Sequence, residues 1–229
     1  MWSAGDLARR GLNRLMDLIF TIGRQCYPHD PERLFAHHMG DAFYIASSLH
    51  EERLDRCASI VIALMRGMTE IGCVARASIA EGSIADYSGT RPRKIQEASL
   101  KDGDQHVISL GEGIMTLQSV MGQGLINAVT IDKLASNALC KGSLLLIPTE
   151  MASRLSKGFV LRQLPAAPDI SAVDWIHSTS SILDAIENEL GVARAAPSDF
   201  EARLKTYVAH HGMKSTWSGP TFEFAGVAP

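Results

Sequence analysis

Apolar residues recur at helical steps along residues 6 to 22, where Leu7, Leu12, Leu15, Ile19 and Ile22 are interleaved with Arg9, Arg10 and Arg14. The spacing predicts an amphipathic helix. A Pro-marked loop, "CYPHDPERL", then leads to two short runs of strand-forming residues, Leu34 to Met39 and Ala42 to Ile45, joined by Gly40-Asp41. A two-residue Gly-Asp connection between such runs predicts a β-hairpin. A long helix is expected from about Glu51 to Glu70. Leu54, Cys57, Ala58, Val61, Leu64, Met65 and Met68 lie along one side of it, and Gly72 is its C-terminal stop. "CVARASIAEGSI" alternates as a strand does, with a turn at Gly82. The polar, turn-rich stretch between Ala85 and His106 reads as an exposed excursion.

An apolar segment broken by glycines follows, "HVISLGEGIMTLQSVMGQG", then a helix from about Leu125 to Asn137. "SLLLIP", residues 143 to 148, reads as a buried strand. Beyond Pro148 the texture changes. "RQLPAAPD" is linker-like, and two helices are expected, Ser171 to Leu190 and Asp199 to His211. Ser198 and Glu201 open the second in capping-box spacing. The succession predicts an α+β fold with helices packed on one face of a sheet. It also suggests a first domain over residues 1–155 and a helical C-terminal extension over 156–229.

Composition narrows the field. A chain of 229 residues, 46% hydrophobic and 21% charged, is long enough to bury a full core. No apolar run reaches the eighteen or so residues of a membrane span, and the Arg-rich start lacks a signal-peptide centre. Cys26, Cys57, Cys73 and Cys140 form no C-x-x-C pair, which suggests free thiols, with Cys57 and Cys73 in strongly apolar surroundings, in a reducing cytoplasm. A net charge of −3 argues against a large nucleic-acid surface, and no stable membrane contact is expected.

Familiar catalytic signatures are missing from the sequence: no Walker loop, no G-x-G-x-x-G after a strand, no G-x-S-x-G elbow and no His-Glu-x-x-His pair. His37 and His38 are adjacent, so on a strand they point to opposite faces and do not chelate one ion together. His210 and His211 suit the negative end of a helix dipole. Asp41, at the expected hairpin tip, admits two readings. One is turn chemistry, in which Asp is common. The other is a metal ligand for a nucleotide.

The order of elements carries the more specific signal. A "GDAF" hairpin is followed by a long helix, by "VARASIAEGSI", and later by "GQGLINAVTIDKLASNALCKGSLLLIP". This series, over roughly residues 30 to 148, resembles the class III nucleotide cyclases. The resemblance implies a cyclase-like sheet and a site holding two divalent cations, Mn²⁺ or Mg²⁺, on a nucleoside triphosphate. Asp41 would match the second of the family's two metal aspartates. His37 would stand at one base-reading position and Ser119 at the other, with Gly122 as the glycine leading into the later helix. Ile126 and Thr130 occupy the places of the family's transition-state Asn and Arg, so Asn127, one place on, is the candidate catalytic residue. Tyr44 would narrow a base pocket. The family's first aspartate sits on a strand ahead of the first helix, whereas Met1 already lies inside that helix. Asp6 and Asp17 are stand-ins, or Glu223 if "TFEFAG" fills the place of that strand.

Loss of the purine-reading pair, the polar insertion and the helical tail make the chain look most like the bacterial antiphage pyrimidine cyclases of the Pycsar type. That implies conversion of UTP or CTP to a 3′,5′-cyclic monophosphate, used as an alarm signal, and a homodimer with the sites at its interface. A cyclase-derived nucleotide-binding or dimerising module without catalysis, and an unrelated interaction protein, stay open beside it.

Overall fold

A computed structural model describes residues 4–27, 29, 35–46, 52–87, 90–103, 106–110, 112–116, 120–192 and 195–227. The elements run α1 (Ala4–Thr21, prolonged by a π turn over Ile22–Cys26), β1 (Phe35–Met39), β2 (Ala42–Ala46), α2 (Asp55–Thr69) and β3 (Ala77–Ser78). Then come β4 (Ala85–Asp86), α3 (Arg93–Asp102), β5 (Val107–Leu110), β6 (Gly113–Thr116), β7 (Val120–Met121) and α4 (Gln123–Asn137). Last are β8 (Leu145–Pro148), β9 (Leu161–Gln163), β10 (Ile170–Val173), α5 (Ser181–Glu189), α6 (Pro197–His211) and α7 (Ser215–Ala225). The fold is mixed α+β. Contacts divide the chain into Met1–Ala80 with Ala128–Pro229, and Glu81–Asn127.

The larger unit is built on a four-stranded mixed sheet in the order β3-β8-β10-β9. β3 runs parallel to β8, with Ala77 opposite Leu145, and the other pairings are antiparallel. Residues 144 to 147 are at most 1% exposed, so β8 is buried on both faces. Leu145 and Ile147 join a core with Leu18 of α1, Ile62 and Met65 of α2, Leu183 of α5 and Leu204 of α6. Leu144 and Leu146 join a second core with Ile131 and Ala135 of α4 and Phe224 of α7. Helices therefore cover both faces of this sheet and not one, as a fully apolar central strand requires. Each of these four buried side chains contributes about 1.5–3 kcal/mol. Gly67 lets α1 nest on α2, because a Cβ there would lie 2.9 Å from Leu18 Cδ1.

Buried charge ties the helices to the segment after β10. Arg66, in the apolar middle of α2, donates from Nε to the Trp175 carbonyl (2.9 Å) and from Nη2 to the carbonyls of Ile176 and Ser178 (2.9 and 2.8 Å). Its Nη1 meets Glu187 of α5 at 2.9 Å, with both side chains 8% exposed. The guanidinium also stacks 5.1 Å over Phe200. Asp174, fully buried, accepts from the backbone N–H groups of Ile176 and His177 and from Arg162.

Several expectations fail here, each where tertiary contacts outweigh local pattern. Residues 171 to 190 are not one helix, because Ile170–Val173 pairs with β8 and β9 and only Ser181–Glu189 is helical. "RQLPAAPD" is no linker between domains but spans the β9–β10 connection. The suggested boundary at residue 155 thus falls within one sheet, between β8 and its partner β10. "TFEFAG" does not form a strand, as residues 221 to 225 lie in α7. α6 starts at Pro197, where Asp199, not Ser198 with Glu201, accepts the Ala196 N–H (2.9 Å).

In the smaller unit β4 pairs with β7 and β5 with β6, both antiparallel, and α3 packs on β5. The stretch expected as an exposed excursion holds β4 and α3. Gly82 and Gly122 let two backbones touch. A Cβ on Gly122 would lie 2.0 Å from the Ser83 carbonyl oxygen, and one on Gly82 2.3 Å from the Gly124 nitrogen.

Candidate functional site

The hairpin forms in the register the sequence predicts, Met39 opposite Ala42 and His37 opposite Tyr44. Gly40 has φ +64°, so the positive φ falls on the first of the two turn residues, a role glycine fills without strain. Asp41 is exposed at the tip, and its carboxylate has no hydrogen-bond or salt-bridge partner among the described residues.

Alternation sorts the flanking side chains. Phe43 and Ile45 pack against the larger core, and the Phe43 ring lies 4.9 Å from that of His38. His37 and Tyr44, facing each other across the strands, lie on the opposite side, both half-buried. The two residues carried over as base-reading and pocket-narrowing are therefore neighbours on one face. Burial pushes the Tyr44 phenol above its usual range, and the nearby Cys57 thiol adds to this. Tyr44 thus offers a neutral hydroxyl.

Asn127 belongs to the smaller unit and is engaged there. Its Nδ2 donates to the Glu81 carbonyl at 2.8 Å, and its Oδ1 accepts from Gln123 Nε2 at 2.8 Å. Together with the Gly124 N–H donating to the Ser83 carbonyl at 3.2 Å, it fastens the start of α4 to the chain before β4. Both polar ends of its amide serve that junction. Ser119 lies outside the described residues.

The donor set bears on the two expected cations. Asp41 is the one carboxylate of the hairpin turn. Asp6 lies 3.8 Å from Arg9 and Asp17 3.0 Å from Arg14, both on α1, and Glu223 is on α7. No group of three His, Cys, Asp or Glu side chains suited to a metal occurs among the described residues. One carboxylate falls short of what two hard divalent cations require. The described residues therefore do not make up the implied centre.

Sequence reasoning passed over Arg66 and Asp174, two buried and multiply bonded charges of the larger unit. The signal was present for Arg66: one Arg inside "ASIVIALMRGMT" must find buried partners or break the helix face. The four cysteines are free, with Cys73 and Cys140 buried and Cys26 and Cys57 half-buried. No helix among the described residues is long and apolar enough to cross a membrane. No protein-family model, curated protein or solved structure matches the chain.

Proposed function

We propose that the chain is a nucleotide cyclase of the class III kind. It would convert UTP or CTP to the 3′,5′-cyclic monophosphate and pyrophosphate, acting as a cytoplasmic homodimer whose product signals viral attack. The 3′-hydroxyl oxygen attacks the α-phosphorus. The bond from that phosphorus to the oxygen bridging to the β-phosphate breaks with its electron pair leaving on pyrophosphate, and the hydroxyl proton passes to water. The observation that carries this reading is the succession of elements: a Gly-Asp hairpin, α2, then β3 joined through α4 to the parallel strand β8. The facing His37–Tyr44 pair fits the base-reading and pocket-narrowing roles the resemblance implies, and the Asp41 carboxylate has no partner among the described residues.

A second reading is a cyclase-derived module that binds nucleotide without cyclising it. The pairing of Asp6 and Asp17 with arginines of α1 favours it. One experiment separates the two. The protein is incubated with each of the four nucleoside triphosphates and Mn²⁺, and products are read by mass. A cyclic pyrimidine nucleotide that disappears in Asp41→Ala, with the melting temperature unchanged, supports the cyclase. No product, together with nucleotide binding that needs no metal, supports the module. Absence of both product and binding overturns both readings.

A further inference from the structure

A cleft in the larger unit assembles groups that neither the cores nor the hairpin uses. About 300 Å³ in volume, it lies where the segments entering β3 and β8 meet α4, α6 and α7. Arg76, Asp132, Ser136, Lys141, Tyr207 and Trp217 supply its polar and aromatic lining. Arg76 is spoken for: it pairs with the Asp132 carboxylate, and its Nη1 donates to the Cys140 carbonyl at 2.9 Å. Asp132 is paired in this way, and the exposed Lys141 has no ion-pair partner among the described residues.

Part of the lining is aromatic. The Tyr207 ring lies 5.7 Å from that of Trp217, tilted by 34°, and 4.5 Å from that of His211. Tyr207 and Trp217 are half-buried. The Tyr207 hydroxyl, the Trp217 indole N–H and the Lys141 ammonium have no hydrogen-bond partner among the described residues. Burial raises the Tyr207 phenol above its usual range, so it remains a donor. Neighbouring aromatic rings and three donors without a partner among the described residues, one of them the Lys141 cation, around a small cleft suit a planar ring that carries an anion.

We propose that this cleft binds a mononucleotide, its base against Trp217 and Tyr207 and its phosphate at Lys141. The inference does not depend on the cyclase reading, and the cleft shares no lining residue with the hairpin. Calorimetric titrations with AMP, GMP, CMP and UMP, the matching nucleosides and inorganic phosphate test it. At least one monophosphate is expected to bind more tightly than its nucleoside and than phosphate. Lys141→Ala should weaken that monophosphate about tenfold and leave the nucleoside unchanged. Trp217→Ala should weaken both about tenfold, while Trp217→Phe, which keeps a ring, stays near the native affinity. Melting curves establish that each variant is folded; Lys141 is exposed, so its substitution decides the matter if Trp217→Ala unfolds. The proposal is overturned if no monophosphate binds at millimolar concentration. It is equally overturned if inorganic phosphate binds as tightly as the nucleotide, or if folded Lys141→Ala binds the monophosphate as the native protein does.

Discussion

The two units of this protein are held together by different means. In the larger unit, residues 144 to 147 lie between two apolar cores, and Arg66 bonds three carbonyls and a carboxylate in the interior. In Glu81–Asn127, Ile108 is the one large apolar side chain buried among the described residues. Leu100, Leu110, Ile114 and Met121 there are 58 to 81% exposed. Backbone contact at Gly82 and Gly122 and the Asn127 amide take the place of a core. The contrast teaches that the unit richer in apolar residues buries them between layers in two cores, while the sparser unit leaves most of its large apolar side chains at the surface.

Breaking the buried ion pair should have the largest effect. Arg66→Ala leaves Glu187 without its partner and three carbonyls without a donor, at a cost of about 3–5 kcal/mol. The melting temperature should fall by on the order of 10 °C. Replacing both partners, Arg66→Met with Glu187→Met, should recover only the part of the loss that comes from the unpaired Glu187, since the three carbonyls still lack a donor; a melting series on the single and double variants measures the split.

Next comes a paired substitution across the two units. Leu146→Ala should cost about 2–5 kcal/mol, whereas Ile114→Ser in the smaller unit should change stability by less than about 0.5 kcal/mol. Equal losses would show that the exposed hairpin of the smaller unit is packed in solution. Amide exchange sharpens the same comparison. Amides of residues 107–110 and 112–116 should open at far lower free energy than those of 144–147.

The smallest effect concerns alkaline pH. Burial pushes the Cys57 thiol up to about 11 from an ordinary value of 9.0, with Arg56 pulling weakly the other way. A raised thiol pKa means that folding holds the neutral form. The stability it contributes is complete below about pH 9 and is lost as pH rises through about 11. Denaturant midpoints measured across that window should fall less steeply in Cys57→Ala than in the native chain. Below pH 9, the half-buried Cys57 should alkylate more slowly in the native protein than in the unfolded chain.

Local pattern carried the reading wherever an element was set by its own residues. The hairpin emerged within one residue at its ends because Gly40-Asp41 and the alternation around it define both turn and register. α2, α4 and β8 were legible for similar reasons, through long apolar periodicity or an unbroken apolar run. The segment Ser171 to Leu190 was not, since a short strand buried on both faces and the first turn of an apolar helix look alike in one dimension. The same ambiguity hid α7, whose "TFEFAG" alternates as a strand would yet packs as a helix with Phe224 in the second core.

For the site, the chain by itself determined which residues stand together locally: Asp41 at a turn tip, with His37 opposite Tyr44. Those relations follow from strand period and turn geometry over ten residues. Only the tertiary structure decided that Asn127 serves a backbone junction, that Arg66 is enclosed by carbonyls, and that Tyr207, Trp217 and Lys141 share one cleft. Each of these joins residues tens of positions apart. Such meetings depend on how layers stack to bury apolar surface, and that is a property of the whole packed chain and not of any segment.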